Sequence, residues 1–424
     1  MFTKADIANL DKVSLFGQIY GDNIEGAKAR VQGLYDLFAE KFGDPEGFML
    51  FSTPGRTEIS GNHTDHNYGC VMAASVNLDS LAVVVPTDDN MVTMYSVGYN
   101  RPFKVNLSNT KVNENEKETT VALVRGIAAK FKELGYKVGG FNAYMMSTVK
   151  RGSGLSSSAS VEVLIGKIFS RLYNAENEVS DVDLAKIGQY AENVYFGKPC
   201  GLMDQTACAV GGVISIDFRD NKNPIVEQVQ LDLAKLGYCL AVVDTGGNHA
   251  DLTDDYASVP KEMKAVAKEF GREVMREVSM EELLAKAKDI RAKLGDRALL
   301  RAIHFLNENE RVVKQINCIK NSQFEEFLDY VNESGNSSWE YLQNCMTIKN
   351  PSEQGITIAL TLTREYCKGL KFASRVHGGG FAGTIQTFLP IEEFDGYCKA
   401  MEAVFGAGCV TKLNIRSRGT VSIE

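Results

Sequence analysis

The sequence lacks an apolar run of the length that a membrane-spanning helix needs. Such a helix takes roughly 18 or more consecutive apolar residues, and no stretch of this chain approaches that length. The first residues, MFTKADIANLDKVSLFG, carry charges where a secretion signal has its apolar segment. We therefore expect a cytoplasmic protein without a membrane partner.

A surplus of basic residues is missing as well. Lysine and arginine together number 46, against 54 aspartate and glutamate residues, which gives a net charge of −8. Proteins that bind nucleic acid need a basic stripe to displace the counterions of the phosphates, so we expect a small-molecule partner instead. The nine cysteines include no CxxC pair and have no histidine cluster beside them. This pattern indicates reduced thiols and argues against a zinc site or a disulfide framework.

The chain does have enough apolar material for two domains. Hydrophobic residues make up 44% of its 424 residues and charged residues 24%, which is ordinary for globular proteins. Single cores stop growing at roughly 250–300 residues, so a chain of this length divides. No internal repeat or proline-rich linker marks the junction. We place it near residue 220, which gives an N-terminal domain of residues 1–220 and a C-terminal domain of residues 221–424.

The spacing of apolar residues predicts a mixture of helices and strands, as in the α/β and α+β classes. A helix is expected directly after Gly154, with Ser157 or Ser158 capping its free amides. Ser279 and Glu282 match the capping box that opens a helix. Other helices are predicted within residues 5–43, 118–136, 260–342 and 391–405, and strands within 47–107, 141–149, 212–218, 239–244, 374–377, 384–389 and 410–415.

The segment Lys150–Ser160, KRGSGLSSSAS, lies between a predicted strand and a predicted helix. Glycines let the backbone approach a ligand, consecutive amides and a helix start attract anions, and serine hydroxyls can bond phosphate or Mg²⁺. A flexible linker is the alternative, since such composition alone often means one. The strand-to-helix context favours a polyphosphate site. The Walker A pattern and the HRD and DFG signatures of protein kinases are absent.

The segment Pro54–Gly69, PGRTEISGNHTDHNYG, concentrates charged and polar residues. A solvated turn is the simplest interpretation. A metal site would use His63 and His66, but no third ligand lies nearby in the sequence. A sugar site fits better, because one carboxylate and one imidazole close together can bond vicinal hydroxyls with directional acceptors and donors.

Two further segments contain polar or glycine residues in unusual surroundings. In Glu192–Gly212, ENVYFGKPCGLMDQTACAVGG, Asp204 stands among small and apolar residues, so it either caps a helix or has a functional partner. The segment Val376–Gly383, VHGGGFAG, is either a tight turn or a backbone surface that touches a ligand.

Taken in chain order, these four segments resemble the GHMP kinases, and within them the galactokinase family. GRTEISGNHTDHN is similar to the family signature GRVNLIGEHTDYN, and the Gly/Ser loop is similar to PxGxGLSSSA with Lys150 in place of the proline. The other two segments resemble PCGIMDQ and GGGFGG. A fifth agreement is His249, followed seven residues later by Tyr256, where the family has a sugar-pocket pair.

This resemblance implies a fold, a reaction and partners. The fold is a two-domain α/β (α+β) GHMP kinase fold, with an N-terminal ribosomal-S5-like domain, a C-terminal ferredoxin-like domain and the substrates in the cleft between them. The reaction is the ATP-dependent phosphorylation of the anomeric (C1) hydroxyl of galactose or a close relative, which gives the sugar 1-phosphate and ADP. ATP is then the co-substrate and Mg²⁺ the cofactor, and we expect a monomer or a weak homodimer.

The resemblance also implies roles for single residues. Asp204 is the expected catalytic aspartate with Arg56 as its partner, and the expected Mg²⁺ ligands are Ser158 and Glu192. The expected sugar contacts are Asn62, His63, Asp65, Gly201 and Tyr256. The expected ATP-binding residues are Gly152, Ser153, Gly154, Leu155, Ser156, Ser157, Ser158 and Gly379.

The first motif departs from the family signature at three of its positions: Glu58 replaces Asn, Asn62 replaces Glu and His66 replaces Tyr. Residue 62 is expected to bond the exocyclic hydroxyl of the sugar, and an amide there would tolerate an anionic C6 group that a glutamate repels. Galacturonate is therefore an alternative substrate, although the motif offers no new lysine or arginine to pair a buried carboxylate. Further alternatives are a catalytically silent sugar sensor and a kinase for another acceptor, such as mevalonate or homoserine.

Overall fold

The computed structural model describes residues 1–150, 154–220, 222–247 and 252–424. Helices and strands are mixed along this part of the chain. The strands are β1 (Met49–Ser60), β2 (Cys70–Pro86), β3 (Met91–Ser96), β4 (Phe103–Asn106), β5 (Phe141–Ser147), β6 (Val213–Asp217), β7 (Ile225–Val229), β8 (Tyr238–Asp244), β9 (Ala373–His377), β10 (Thr384–Pro390), β11 (Val410–Leu413) and β12 (Val421–Ile423). The α-helices are α1 (Ser14–Tyr20), α2 (Ile24–Phe42), α3 (Thr120–Glu133), α4 (Ser157–Tyr173), α5 (Asp181–Tyr190), α6 (Met203–Val210), α7 (Thr253–Lys268), α8 (Met280–Ala285), α9 (Ala287–Leu294), α10 (Asp296–Lys320), α11 (Phe324–Ser337), α12 (Gly355–Tyr366) and α13 (Phe394–Phe405).

The larger sheet runs in the order β12-β1-β2-β5-β3-β4, with β6 and β7 continuing from β2. Strand β2 is long enough to pair with β5 along one half and with β6 along the other. Strand β1, which carries the first motif, lies between β2 and the C-terminal strand β12. Leu50 is opposite Ile423, so the last residues of the chain help to fix the strand that holds the first motif.

The smaller sheet is antiparallel and runs in the order β11-β8-β10-β9. One apolar core joins it to the larger sheet, because Ile59 and Met72 of the larger sheet share a cluster with Leu240 and Phe388 of the smaller one. Burying each large apolar side chain contributes about 1.5–3 kcal/mol. This shared core therefore holds β1 against the smaller sheet, which brings the first motif to the triple-glycine segment.

The mixed α/β class predicted from the sequence is confirmed. Ser279 and Glu282 form the predicted capping box at the start of α8. The apolar spacing does not predict β12, because a three-residue strand is too short to show a period. The domain junction near residue 220 stays a prediction. No helix in the described part of the chain is long and apolar enough to cross a membrane.

Candidate active site

An ion pair between strand β1 and helix α6 lies at the centre of the site. Arg56 donates from Nε to Asp204 Oδ1 at 2.7 Å and from Nη2 to Asp204 Oδ2 at 2.8 Å. The planar guanidinium meets both carboxylate oxygens at once, which fixes the orientation of the carboxylate. The Ser156 hydroxyl also donates to Asp204 Oδ2. The structure thus brings together the two residues expected to act in catalysis, while their roles stay predictions.

Asp204 is held in its ionised form. Burial opposes its ionisation, but the charge and hydrogen bonds of Arg56, together with the Ser156 hydroxyl and the charge of Lys198, keep the pKa of this carboxyl below its ordinary value. The side chain is still 33% exposed. An ionised carboxylate accepts hydrogen bonds only, so Asp204 can orient a substrate hydroxyl or take its proton.

The Gly/Ser loop leads into helix α4, which begins at Ser157 after a cap residue, Ser156, with a positive φ of 58°. The prediction that Ser157 or Ser158 caps this helix is wrong. Among the described residues no side chain bonds the first amides of α4, because the hydroxyl of the cap residue Ser156 donates to Asp204 instead. Free amides at the positive end of a helix form an anion site. Gly152 and Ser153, also expected to bind ATP, lie outside the described residues.

Two backbone positions tie this loop to its surroundings. Leu155 O accepts the backbone N–H of Arg56 at 3.1 Å, which joins the loop to β1. Gly154 has a φ of +73°, and a Cβ at this position would lie only 2.9 Å from His377 Nδ1. A glycine is therefore needed where the loop passes the smaller sheet.

A second polar cluster lies beside the start of α4. Ser158 Oγ donates to Glu192 Oε1 at 3.4 Å, and Lys198 Nζ is 3.7 Å from the same oxygen. Gln205 Nε2 donates to Glu192 Oε2 and to Glu162 Oε2, each at 2.9 Å. The sequence motifs did not identify Glu162 or Gln205. One signal was present, because Glu162 lies four residues after Ser158 and therefore on the same face of α4.

The pKa of Glu162 is shifted in the opposite direction from that of Asp204. Burial, followed by the neighbouring charge of Glu192, raises its pKa well above the ordinary value. Its Oε1 has no hydrogen-bond partner in the described part of the chain. The raised pKa favours the neutral form of Glu162, which reduces the negative charge of this buried cluster.

Ser158 and Glu192 fit the expected Mg²⁺ ion. Adjacent ligands of an octahedral Mg²⁺ ion lie roughly 3 Å apart, and the two side-chain oxygens are 3.4 Å apart. The described residues include no group of three or more histidine, cysteine, aspartate or glutamate side chains that could hold a metal ion. An ion bound here would therefore depend on phosphate oxygens and waters for its other ligands, as Mg²⁺ prefers.

Three of the expected sugar contacts, Asn62, His63 and Tyr256, bond the turn of residues 378–380, which follows β9. His63 Nε2 donates to Gly379 O at 2.8 Å, and the Tyr256 hydroxyl donates to Gly380 O at 2.9 Å. A Cβ on Gly379 would lie 2.7 Å from the Tyr256 ring. Gly379 thus contacts two residues expected to bind the sugar, while its expected contact with ATP stays a prediction.

Gly201 and Asp65 are direct neighbours. A Cβ on Gly201 would overlap Asp65 Oδ2, so this position has no room for a side chain. Asp65 Oδ1 accepts the backbone N–H of His66 at 2.9 Å, which holds the carboxylate in place. His249, the remaining residue of the expected sugar pocket, lies outside the described residues.

Asn62 differs from the other expected sugar contacts because it is almost fully enclosed. Its side chain is 1% exposed. Nδ2 donates to Glu58 Oε1 and to Gly378 O, each at 2.8 Å, and Oδ1 accepts from Asn344 Nδ2 at 2.6 Å. The amide therefore has no free donor, and its contact with a sugar hydroxyl stays a prediction.

Comparison with known proteins assigns the family. Residues 122–212 match the family described as GHMP kinases N terminal domain, and residues 36–86 match the galactokinase galactose-binding signature. A galactokinase of Actinobacillus pleuropneumoniae is 30% identical over 371 residues, which cover 85% of this chain and 90% of that protein. The chain belongs to the galactokinase family of GHMP kinases. A galactokinase of Mannheimia succiniciproducens is 28% identical over 366 residues, which cover 85% of this chain and 89% of that protein.

Solved structures confirm the GHMP kinase fold of this galactokinase-family chain. The structure of Lactococcus lactis galactokinase complexed with galactose superposes with a TM-score of 0.78 at 24% identity and covers 92% of this chain and 99% of that one. Mevalonate kinase of Methanococcus jannaschii superposes with a TM-score of 0.57 at 14% identity and covers 87% and 98% of the two chains. This member of the galactokinase family is a sugar kinase, and ATP is its co-substrate.

The galactokinase-family chain also has a pocket that the motifs did not predict. It has a volume of about 490 Å³ and adjoins the start of α4. Sequence motifs could not identify it, because its walls come from four separated stretches of the chain. They are lined by Ser96, Val97, Tyr99, Phe103, Glu118, Thr120, Leu123, Met145, Ser147, Val149, Lys150, Ser157, Ser158, Val161, Phe196 and Lys198.

Proposed function

We propose that this sugar kinase transfers the γ-phosphoryl group of ATP to the anomeric C1 hydroxyl of galactose or a close relative. The products are the sugar 1-phosphate and ADP. The observation that carries the proposal is the bidentate Arg56–Asp204 pair, which also contacts the Gly/Ser loop through Gly154 and Ser156. An ionised, oriented carboxylate beside an anion-binding helix start is what phosphoryl transfer to a hydroxyl needs.

In the proposed reaction Asp204 accepts a hydrogen bond from the C1 hydroxyl. The C1 oxygen forms a bond to the γ-phosphorus, the bond from that phosphorus to the leaving oxygen of ADP breaks, and the hydroxyl proton passes to the Asp204 carboxylate. Alignment and charge neutralisation supply most of the rate, because the transition state is loose. Arg56 and the free amides of α4 offset the charge of the transferred group. Mg²⁺ held by Ser158 and Glu192 would neutralise charge on the phosphate oxygens.

The nucleotide is expected to occupy the 490 Å³ pocket beside α4. Its walls combine apolar and aromatic side chains, among them Val97, Leu123 and Phe196, with Ser157 and Ser158 at the end nearest the helix start. Such a pocket suits a flat base at one end and phosphates at the other. This placement would direct the γ-phosphate towards the Arg56–Asp204 pair, to which the same loop is bonded.

Charge supports a neutral sugar over galacturonate. Arg375 reaches the first motif from β9, but it is fully buried and lies 3.4 Å from the Glu58 carboxylate. Its Nε and Nη1 have no partner among the described residues, but its full burial keeps it from meeting a carboxylate at C6. Asp65 and Asp204 add negative charge to the same region, and an unpaired buried anion is costly.

A panel of acceptors with ATP and Mg²⁺ tests the proposal. Galactose, galacturonate, glucose and mevalonate are compared for turnover, and phosphorus NMR identifies the position of the new ester. We expect galactose to give the anomeric phosphate and the highest kcat/KM. 1-Deoxygalactose, which lacks the reacting hydroxyl, is the matched control and should inhibit without being phosphorylated. An ester at another hydroxyl, or turnover of mevalonate alone, would overturn the proposal.

A further inference from the structure

The buried end of the first motif forms a polar cluster with the C-terminal half of the chain. We name it the Glu58 cluster, and it consists of Glu58, Asn62, Asn344 and Arg375. Glu58 is 5% exposed, Asn62 1%, and the other two are fully buried. Glu58 Oε1 accepts from Asn62 Nδ2 at 2.8 Å and lies 3.4 Å from Arg375 Nη2. One carboxylate oxygen thus joins β9 to the loop after β1.

The partners of Asn62 require an amide at this position. Nδ2 faces Glu58 Oε1 and Gly378 O, and a backbone carbonyl can only accept, so the nitrogen of the amide must lie on that side. Oδ1 accepts from Asn344 Nδ2 on the other side. A carboxylate at residue 62 would place two acceptors against each other. An apolar side chain would remove three buried hydrogen bonds, and buried groups without partners are costly.

Glu58 and Asn62 are also an exchanged pair. In the signature that the first motif resembles, an amide precedes the acid by four residues, whereas here Glu58 precedes Asn62 by four residues. The exchange keeps one amide and one carboxylate, and the two side chains are bonded to each other. The change from the family signature at residue 62 is therefore accompanied by the complementary change at residue 58.

The cluster continues directly into the loop that carries the expected sugar contacts. His304 Nε2 donates to Asn62 O at 3.0 Å. His63, the next residue, has a φ of 58°, in the left-handed region that residues other than glycine rarely adopt. Such a conformation persists where the surroundings hold it. The side chain and the carbonyl of Asn62 are both held, so Asn62 sets the direction in which His63 leaves it.

We propose that Glu58 and Asn62 are one positioning unit for sugar binding, in which the amide and the carboxylate must be matched. The unit holds His63 against the turn of residues 378–380 and does not itself contact the sugar. This inference rests on the proposed function, because it takes the loop after β1 as the sugar site. It extends that function because sugar binding then depends on the pairing of Glu58 with Asn62 and not on residue 62 alone.

A double-mutant cycle tests the matching. Asn62→Asp is nearly isosteric and places a second carboxylate against Glu58 Oε1, whereas Glu58→Gln removes the carboxylate that it meets. We expect Asn62→Asp to raise the sugar KM at least ~10-fold in the parent and several-fold less in the Glu58→Gln background. The nucleotide KM should stay within about twofold, because the Gly/Ser loop makes none of these bonds. Equal effects of Asn62→Asp in both backgrounds, or a nucleotide KM that rises in step, would overturn the proposal.

Asn332→Asp is the matched control, because Asn332 bonds the backbone at the start of β9, at Phe372 and Ser374, and lies outside the Glu58 cluster. It should lower the unfolding temperature and leave the sugar KM unchanged. If the single variant Asn62→Asp does not fold, the unfolding temperatures of the remaining variants of the cycle are compared instead of the sugar KM. A double variant with Glu58→Gln that folds then supports the matching. Failure to fold in both backgrounds contradicts it, since no opposing carboxylate is left.

The acceptor panel separates this inference from the proposed function. The cycle is run with whichever sugar the parent phosphorylates, and thermal protection by that sugar gives a second readout. If the parent phosphorylates no sugar, the proposed function fails, while the coupling between residues 58 and 62 is still measured by unfolding. If the parent phosphorylates galactose and the cycle shows no coupling, the positioning unit alone fails.

Discussion

The Asp204 end of the site and the Glu58 cluster differ in how much of each polar group is left open. At the Asp204 end the carboxylate is 33% exposed, with Arg56 and the hydroxyl of Ser156, the cap residue of α4, bonded to it. In the Glu58 cluster the Asn62 side chain is 1% exposed and its donors are all used. A residue at the open end can meet a substrate directly. A residue in the closed cluster acts on the substrate only through the loop that it holds.

The largest effect is expected at the open end. Asp204→Asn should lower kcat by at least ~10²-fold, because an amide cannot take the hydroxyl proton and leaves the Arg56 guanidinium without its counter-charge. ATP should still raise the unfolding temperature of the variant. Asp232→Asn, which changes a half-exposed carboxylate paired with Lys235, is the control and should keep the parent kcat. A kcat for Asp204→Asn within a few fold of the parent would remove Asp204 from the reaction.

The pair that fits the metal ion should show the next largest effect. Ser158→Ala combined with Glu192→Gln removes one oxygen ligand and one negative charge, so the half-saturating Mg²⁺ concentration should rise by about 30-fold. Mn²⁺ binding to the complex of enzyme and ADP, followed by electron paramagnetic resonance, gives a readout that does not need turnover. Glu178→Gln changes a carboxylate paired with Lys167 and serves as the control. Unchanged titrations in the double variant would place the ion elsewhere.

A substitution in the closed cluster should affect all sugars alike. Asn62→Glu places a second carboxyl group against that of Glu58. The kcat/KM for galactose and that for galacturonate should therefore both fall by about tenfold. Their ratio should stay within about twofold of the parent ratio. An inhibition constant replaces kcat/KM for a sugar that is not turned over. A ratio that shifts strongly towards galactose would mean that residue 62 contacts C6, as the family signature alone suggests. The Glu58 cluster would then meet the substrate directly, as the Asp204 end does.

Local chemistry explains how much of the site could be predicted from the sequence. The Gly/Ser loop, the isolated Asp204 and the triple-glycine turn are short segments whose composition departs from their surroundings. The partners of these segments come from far away in the chain, since Asn344 is 282 residues from Asn62 and Glu162 is 43 residues from Gln205. Apolar periodicity indicates which faces are buried and does not indicate which buried polar atoms meet. The role of Ser156 was missed for the same reason, because its acceptor is on another helix.

His377 lies between the Asp204 end and the Glu58 cluster, where β1 meets the smaller sheet. It gives the prediction with the smallest expected effect, which tests whether water reaches this interface. Its ring nitrogens are each 3.0 Å from a hydroxyl, Nε2 from that of Thr57 and Nδ1 from that of Thr384. Burial, followed by the charges of Arg56 and Arg375, lowers the pKa of this imidazole to about 3. An unfolded histidine has a pKa of about 6.5. Between these values the unfolded chain binds a proton that the folded chain does not.

Folding should therefore lose stability as the pH falls from about 6.5 towards 3, by up to about 1.4 kcal/mol per pH unit for this one group. Burial lowers the pKa of His63 to about 4 and lowers that of His304, so these residues add to the same slope. We expect His377→Gln to reduce the slope of the free energy of unfolding between pH 6.5 and 5 by about 1 kcal/mol per pH unit, measured by urea titration. The range from pH 7 to 8 is the control, where the parent and variant slopes should agree. Equal slopes below pH 6.5 would mean that water reaches His377, and that the interface beside β1 is as open as the Asp204 end.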